Sequence, residues 1–93
     1  MIRSFADKDT ARIFHRERTR KLPPPLHQMA RRRLLVLHGA ETLADLKVPP
    51  GNRLEKLRGD RAGQYSIRIN QQWRICFRWH RGDAHDVEIV DYH

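Results

Sequence analysis

A two-residue alternation of apolar and polar side chains in the C-terminal half most constrains the fold of this chain. It runs from residue 65 to 70 and again from 73 to 79. Because successive side chains of a strand point to opposite faces, each stretch predicts a strand with one apolar and one polar face. If a hairpin turns at residues 70–72, the apolar side chains of both strands lie on one side of the sheet only when odd-numbered residues pair with odd-numbered residues. The simplest such register sets Ile67 opposite Ile75.

That register also pairs two arginines. Arg68 then lies directly opposite Arg74, on the face away from the core. Like charges placed opposite each other destabilise a sheet by ~0.2–1 kcal/mol. An anion such as a phosphate relieves this repulsion, so the pair predicts an anion-binding position on the polar face of the sheet. The alternative is that both arginines form salt bridges with Asp60 or Asp91.

The N-terminal half predicts two helices. Ser4-x-x-Asp7 resembles a capping box and favours a first helix over residues 7–18. The prolines at 23–25 end that helix and open a second one, whose apolar stripe runs to Leu37 and which Gly39 terminates. The predicted strands cover residues 53–57, 64–70, 73–79 and 85–92. We therefore expect one α+β domain over residues 1–93, with two N-terminal helices packed on one face of a four-stranded antiparallel sheet.

The last two strands are predicted to form a second hairpin in which odd-numbered residues again pair with odd-numbered residues. A register with Phe77 opposite Val87 and Ile75 opposite Ile89 keeps the apolar side chains of the final strand on the core face. It also places Tyr92 near Gln72, on the same face as Arg74. The polar face is thus predicted to expose two arginines and a tyrosine.

The amino-acid composition limits the classes of partner that suit this chain. The net charge is +8, carried by 15 arginines and 4 lysines, and the isoelectric point is near 10.8. Such a charge fits a polyanion, a membrane surface or an acidic protein as partner. Arginine favours phosphate recognition, although a GC-rich genome gives the same bias.

The lone cysteine, Cys76, allows no intrachain disulfide and suits a reducing, cytoplasmic setting, where it is predicted to be a packing residue. The sequence has no apolar run of membrane-spanning length, so no membrane partner is expected. The histidines show no metal-ligand spacing, and neither a metal nor another cofactor is expected.

Several motifs together resemble a known family. They are Leu57-Arg58-Gly59-Asp60, Tyr65-Ser66-Ile67-Arg68-Ile69-Asn70, Trp73-Arg74-Ile75 and the terminal Asp91-Tyr92-His93, preceded at the N-terminus by Met1-Ile2-Arg3-Ser4-Phe5. In this order they resemble the HigB branch of the RelE-type toxins, within the RelE/ParE superfamily. The resemblance spans nearly the whole chain and implies a RelE-like fold.

The resemblance implies a function as well. It indicates the toxin of a type II toxin–antitoxin pair, which enters the ribosomal A site and cuts mRNA there without a metal. The implied reaction is attack of a ribose 2′-OH on the adjacent phosphate. The implied partners are the ribosome, mRNA and a helix-turn-helix antitoxin similar to HigA. Operator DNA is then contacted only through that antitoxin.

The motifs also imply a set of site residues. The candidate catalytic residues are His93, Arg74, Arg68, Arg58, Tyr92 and Asp91. The two strand arginines would bind the scissile phosphate, and His93 would protonate the 5′-oxygen, since an imidazole titrates near ~6.5. Tyr92 would contact the phosphate or stack on a base, and Asp91 would orient His93 or Arg74.

Two positions depart from the family pattern. Relatives usually carry a functional lysine where this chain has Arg58, and arginine keeps the charge without carrying protons, because a guanidinium stays protonated in proteins. Some relatives also carry a histidine three residues earlier, where Glu55 stands here, so no role is assigned to that position.

Three further arginines are candidate RNA contacts. Arg31 and Arg32 lie in an arginine run of the second predicted helix, and Arg61 follows the first motif. The alternative for the run is a solvated helix face. Two other classes of function remain open for the whole chain: a non-catalytic basic RNA- or DNA-binding module, and an inactive toxin homologue kept for antitoxin binding.

Overall fold

In the computed structural model, residues 1–92 are described, and the first helix, α1, spans Lys8–Phe14. Its cap is Asp7, whose carboxylate accepts a hydrogen bond from the Thr10 backbone N–H at 2.7 Å. The predicted Ser4 capping box is wrong: the Ser4 hydroxyl accepts instead from the backbone N–H of Asp86 at 2.9 Å. The helix also ends earlier than residue 18, because Arg16 has left-handed backbone angles, with φ at 62°.

The second helix, α2, spans Pro24–Gly39 and begins at the proline run, as predicted. Proline suits the first turn because its missing N–H would have no helical partner there. The side chains that α2 buries recur three or four residues apart and form its core-facing stripe: Leu26, Ala30, Leu34 and Leu37. Burial of this stripe against the sheet holds the helix in place.

Four antiparallel strands follow in the order β1-β2-β3-β4. They are β1 Glu55–Lys56, β2 Tyr65–Arg68, β3 Trp73–His80 and β4 Asp83–Asp91. Three short 3₁₀ turns lie between these elements: Leu43–Lys47, Pro50–Asn52 and Gly59–Arg61. β1 is shorter than predicted because Arg53 has a φ of 46°, which is not an extended conformation. With α1 and α2 on one face of the sheet, the α+β arrangement is confirmed.

The predicted strand registers are confirmed around the centre of the sheet. Ile67 pairs with Ile75 across β2 and β3, and Ile75 pairs with Ile89 across β3 and β4. Beyond Cys76 the register shifts at a β-bulge, where Asp86 has a φ of 52°. The strict alternation that predicted Phe77 opposite Val87 does not continue as a ladder through this bulge.

The N-terminal segment adds an edge that the sequence did not predict. Ile2 and Phe5 form parallel bridges with Ala84 and Val87 of β4. The backbone N–H of Arg3 donates to the Ala84 carbonyl at 2.8 Å. Parallel pairing between residues so distant in sequence has no local signature, because it depends on where the whole chain folds back. No helix within residues 1–92 is long and apolar enough to cross a membrane.

Candidate functional site

The sheet surface opposite the helices carries the predicted arginines. Here it is called the arginine face and is defined by Ser66, Arg68, Arg74, Cys76 and Glu88, which strand pairing places on one side. Arg68 lies directly opposite Arg74, as predicted. The like-charge pair is accommodated because each guanidinium also donates to a different backbone carbonyl.

Arg74 is buried rather than exposed, which corrects the prediction of an open polar face. Its residue exposure is 9%. Its Nε donates to the Ser66 hydroxyl at 2.7 Å and its Nη2 to the Arg53 carbonyl at 2.6 Å. The acidic partner of Arg74 is Glu55, at 3.8 Å, and not Asp60 or Asp91. Within residues 1–92, Nη1 of Arg74 has no hydrogen-bond partner and remains available to a ligand oxygen.

A buried asparagine supports the carbonyl that holds Arg74. Asn52 is fully buried, and its Nδ2 donates to the carbonyls of Leu46 and Val48 at 3.3 and 3.2 Å. Arg33 of α2 donates to Asn52 Oδ1 at 2.9 Å. The next residue, Arg53, is thereby fixed in its left-handed conformation, with its carbonyl toward Arg74. Arg74 is thus oriented by contacts that reach back to the helix layer.

Arg68 is less enclosed than Arg74. Its Nε donates to the Asn70 carbonyl at 3.0 Å, and the side chain is half-buried. Within the described chain its two Nη groups have no hydrogen-bond partner. Because Arg68 and Arg74 pair across β2 and β3, both guanidinium groups belong to the arginine face, and guanidinium groups are donors that suit a phosphate.

Tyr92 borders the pair, as the register predicted. Its ring lies 5.7 Å from the Arg74 Cζ, a cation–π distance, and its backbone N–H donates to the Gln72 carbonyl at 2.6 Å. Tyr92 is 38% exposed, so its ring and hydroxyl remain accessible. Asp91 ends β4 opposite Trp73, and its Oδ2 accepts from Gln72 Nε2 at 3.1 Å. His93 lies outside the described residues, so its role stays a prediction.

Glu55 is the residue of this site that sequence reasoning missed. It pairs with Ser66 across β1 and β2, which brings it to the arginine face beside Arg74. Its side chain is 54% exposed. Because β1 has two residues, no alternation in the sequence could fix this register. A solvent-accessible carboxylate is thus placed beside the buried arginine of this face.

Arg61 and the lone cysteine occupy the neighbouring part of the face. Arg61 Nη1 donates to Gln64 and to Glu88, both at 3.1 Å. Cys76 is fully buried, and burial raises the pKa of its thiol although the charge of Arg61 opposes that shift. The cysteine is therefore a neutral packing residue and not a nucleophile.

The remaining candidates are spread over two surfaces. Arg58 is exposed at the start of the Gly59–Arg61 turn, and its side chain makes no hydrogen bond or ion pair to another residue of the described chain. Arg31 and Arg32 lie on α2, on the opposite side of the sheet from Arg68. The structure therefore does not join them to the arginine face. No group of three or more His, Cys, Asp or Glu side chains within residues 1–92 could hold a metal ion.

Comparisons with known proteins agree with this architecture. A family model described as a RelE-like toxin of the type II toxin–antitoxin system HigB matches residues 3–93. Toxin HigB-1 of Vibrio cholerae is 38% identical over 85 residues, which cover 90% of each chain. Endoribonuclease HigB of Proteus vulgaris is 32% identical over 93 residues, the full length of both chains. An uncharacterized protein of Haemophilus influenzae is 31% identical over 69 residues, covering 74% of this chain and 68% of that relative.

Proposed function

Because this chain belongs to the HigB-like family of RelE-like toxins from type II toxin–antitoxin systems, we propose that it is an endoribonuclease that cleaves mRNA in the ribosomal A site. The observation that carries the proposal is the pair of arginines, Arg68 and Arg74, set side by side with Tyr92 against one of them. The name of the Proteus vulgaris relative supports the same chemistry.

The proposed reaction uses the RNA itself as nucleophile. The ribose 2′-oxygen attacks the adjacent phosphorus, a bond to O2′ forms, and the bond to the 5′-oxygen breaks. The products are a 2′,3′-cyclic phosphate and a 5′-OH. One proton leaves the 2′-OH and one is added to the leaving oxygen, so the reaction is balanced without a metal.

The two arginines stabilise the charge that develops on the phosphorane. Arg74 is already oriented by Ser66 and the Arg53 carbonyl, so it needs no rearrangement when the transition state forms. Preorganised donors of this kind are effective because the site does not have to reorganise at the moment of reaction. Arg58 is exposed at the start of the Gly59–Arg61 turn. It contributes positive charge to the reaction but does not transfer a proton.

Proton transfer falls to groups around Arg74. Glu55 lies 3.8 Å from Arg74 Nη2, so a phosphate bound to that guanidinium brings its 2′-OH close to a carboxylate. We assign Glu55 as the proton acceptor. His93, next to Tyr92 in the chain, is the proposed donor to the 5′-oxygen. Tyr92 holds the phosphate or stacks on a base.

The family also implies a partner that restrains the toxin. We propose a helix-turn-helix antitoxin similar to HigA, encoded beside the toxin, through which the pair contacts operator DNA. The site of action is the cytoplasm, where ribosomes and mRNA occur. A protein of net charge +8 is attracted to RNA, and an acidic antitoxin segment would oppose that attraction.

Induced expression with and without the neighbouring gene tests the proposal. Primer extension should reveal new 5′ ends inside translated frames, and co-expression of the antitoxin should remove them. Arg68→Ala is the inactive control, because that side chain is accessible and makes a single hydrogen bond within the described chain. Cuts spread equally over untranslated RNA would contradict ribosome dependence, and growth arrest without any cuts would favour the non-catalytic binding module.

A further inference from the structure

Arg33 occupies a costly position for a charged side chain in helix α2. It lies three residues after Ala30 and four before Leu37, at the margin of the stripe that this helix buries. The residue is half-buried, and across residues 1–92 its guanidinium makes one hydrogen bond, from Nη1 to Asn52 Oδ1 at 2.9 Å, and no ion pair. Enclosing a cation without a counterion destabilises a fold, so the contact with Asn52 has to offset that cost.

Asn52 connects α2 to the segment that leads into β1. Its side chain is fully buried, and each of its polar atoms is used. Nδ2 donates to the carbonyls of Leu46 and Val48, and Oδ1 accepts from Arg33, its sole donor in the described part of the chain. Without the Arg33 guanidinium this acceptor would be buried and unpaired. The Pro50–Asn52 turn would then have to move to regain a partner.

Backbone strain lies at the residue that follows. Arg53 has left-handed angles, with φ at 46° and ψ at 56°. Residues other than glycine rarely adopt this conformation, and it persists only where the surrounding structure holds it. Asn52 is buried on one side of Arg53, and Leu54 packs against the core on the other. In this conformation the Arg53 carbonyl accepts from Nη2 of Arg74 at 2.6 Å, so the strain lies at a residue that holds the phosphate-binding arginine.

Arg33 is separated from the proposed chemistry by the sheet. Helix α2 packs on the face that carries Ile67 and Ile75, whereas Arg68 and Arg74 belong to the other face. The Arg33 guanidinium reaches the buried amide of Asn52 and not the arginine face. An influence of Arg33 on bond breaking must therefore pass through the residues that hold Arg74.

We propose that Arg33 is a positioning residue for Arg74. Its hydrogen bond to Asn52 fixes the turn that precedes Arg53. The Arg53 carbonyl is then kept on Nη2 of Arg74, which leaves Nη1 for a phosphate oxygen. This inference rests on the proposed function, because it gives Arg33 a part in the same site. A donor that is oriented before the reaction stabilises developing charge without reorganising, so a looser Arg74 should slow the chemical step.

Three single variants test the proposal. Arg33→Met keeps a long unbranched side chain and removes the donor, and Arg33→Lys restores a cationic donor. Lys47→Met is the charge-matched control, since Lys47 is exposed at the end of the Leu43–Lys47 turn and its side chain makes no hydrogen bond or ion pair to the described residues. Melting curves set an assay temperature well below the transition of every variant.

The first measurement needs no RNA. Proteins labelled with ¹⁵N-arginine report the exchange of the Arg74 Nε proton with water, and the signal is identified by its absence from Arg74→Ala. Arg33→Met should exchange at least about tenfold faster than the wild type, because a guanidinium that loses a hydrogen bond opens more often. Arg33→Lys should stay close to the wild type, and Lys47→Met should match it. An unchanged exchange rate in Arg33→Met would overturn the proposal.

The second measurement is single-turnover cleavage over a range of ribosome concentrations. Arg33→Met should lower the rate constant at saturation by about tenfold, the effect of one misaligned hydrogen bond, and Arg33→Lys should recover most of it. The ribosome concentration at half-saturation should not change, because Arg33 does not contact RNA in this account. A higher half-saturation concentration with a normal rate constant would overturn the proposal.

A double variant tests whether Arg33 acts through Arg74. Once Arg74→Ala has removed the guanidinium, adding Arg33→Met should cause no further loss of cleavage rate. Losses that multiply in the double variant would mean that the two residues act independently, which contradicts a positioning role.

The exchange measurement separates this proposal from the proposed function. If the wild type cleaves nothing on ribosomes but Arg33→Met exposes the Arg74 guanidinium to exchange, the positioning assignment stands and the nuclease assignment fails. If the wild type cleaves and Arg33→Met matches it in exchange and in cleavage, the reverse holds.

Discussion

Replacing the two arginines of the arginine face separately should have very different effects on stability. Arg74→Ala removes the two short hydrogen bonds from a charged donor, to the Ser66 hydroxyl and the Arg53 carbonyl, and leaves the fully buried Ser66 hydroxyl without that donor. Hydrogen bonds to charged groups are each worth ~1.5–3 kcal/mol, and part of this is offset because the buried charge disappears. We expect a loss of ~2–4 kcal/mol in the free energy of unfolding for Arg74→Ala.

Arg68→Ala removes one hydrogen bond from a half-buried side chain and relieves the like-charge pair. Its cost should stay within ~1 kcal/mol. For a domain of this size ~1 kcal/mol corresponds to ~4–8 °C in melting temperature. Arg74→Ala should therefore melt at least ~10 °C below the wild type, and Arg68→Ala within a few degrees of it.

Thermal and urea denaturation of both purified variants give these values, and single-turnover cleavage is then measured well below each melting temperature. Both variants should lose about 100-fold or more in cleavage rate, since a charged hydrogen bond to the transition state is worth ~3 kcal/mol. Equal melting temperatures for Arg74→Ala and the wild type would refute the reasoning that Arg74 is held by Ser66 and Arg53.

The site supports four further predictions. Cys76 should not react with a thiol reagent at neutral pH until the protein unfolds. Burial raises the pKa of this thiol and also shields it from the reagent. Rapid labelling of the native protein would contradict this prediction. Arg58→Lys should keep cleavage activity and Arg58→Gln should lose it, as ribosome assays of the three forms will show; equal activities would remove Arg58 from the site. Glu55→Gln should slow single-turnover cleavage while ribosome binding stays intact, and an unchanged cleavage rate would exclude Glu55 as the base. His93→Gln should lower single-turnover cleavage by ~10²–10⁴ with ribosome binding intact, and full activity would move the acid role elsewhere.

The arginine pair could be predicted from sequence because it depends on local pattern alone. Alternation over 65–70, 73–79 and 85–92 fixes which residues share a face, and the Arg68–Arg74 and Ile75–Ile89 pairings agree with it. The same pattern could not reveal the burial of Arg74. That burial depends on Glu55 and on the Asn52-supported carbonyl of Arg53, which reach it through an irregular segment.

Other features could not be predicted from the sequence, for related reasons. The bulge at Asp86 and the bridges of Ile2 and Phe5 to β4 arise from contacts between distant segments, and no periodicity encodes them. Arg31 and Arg61 could be identified as basic, but the sequence did not show that the sheet separates them. The pairing of Glu55 could not be predicted, because β1 has two residues and is too short for an alternation that sets its register.

Ribosome-dependent cleavage is tested most directly by adding the purified protein to a defined mRNA, either free or engaged on purified ribosomes, and mapping the ends. We expect cleavage of the ribosome-bound mRNA in the A-site codon, with a 2′,3′-cyclic phosphate on one fragment and a 5′-OH on the other. The free mRNA should remain intact under the same conditions, and Arg68→Ala should cut the ribosome-bound mRNA at least about 100-fold more slowly. Equal cleavage of free and ribosome-bound mRNA, or 5′-phosphate ends, would contradict the proposed function.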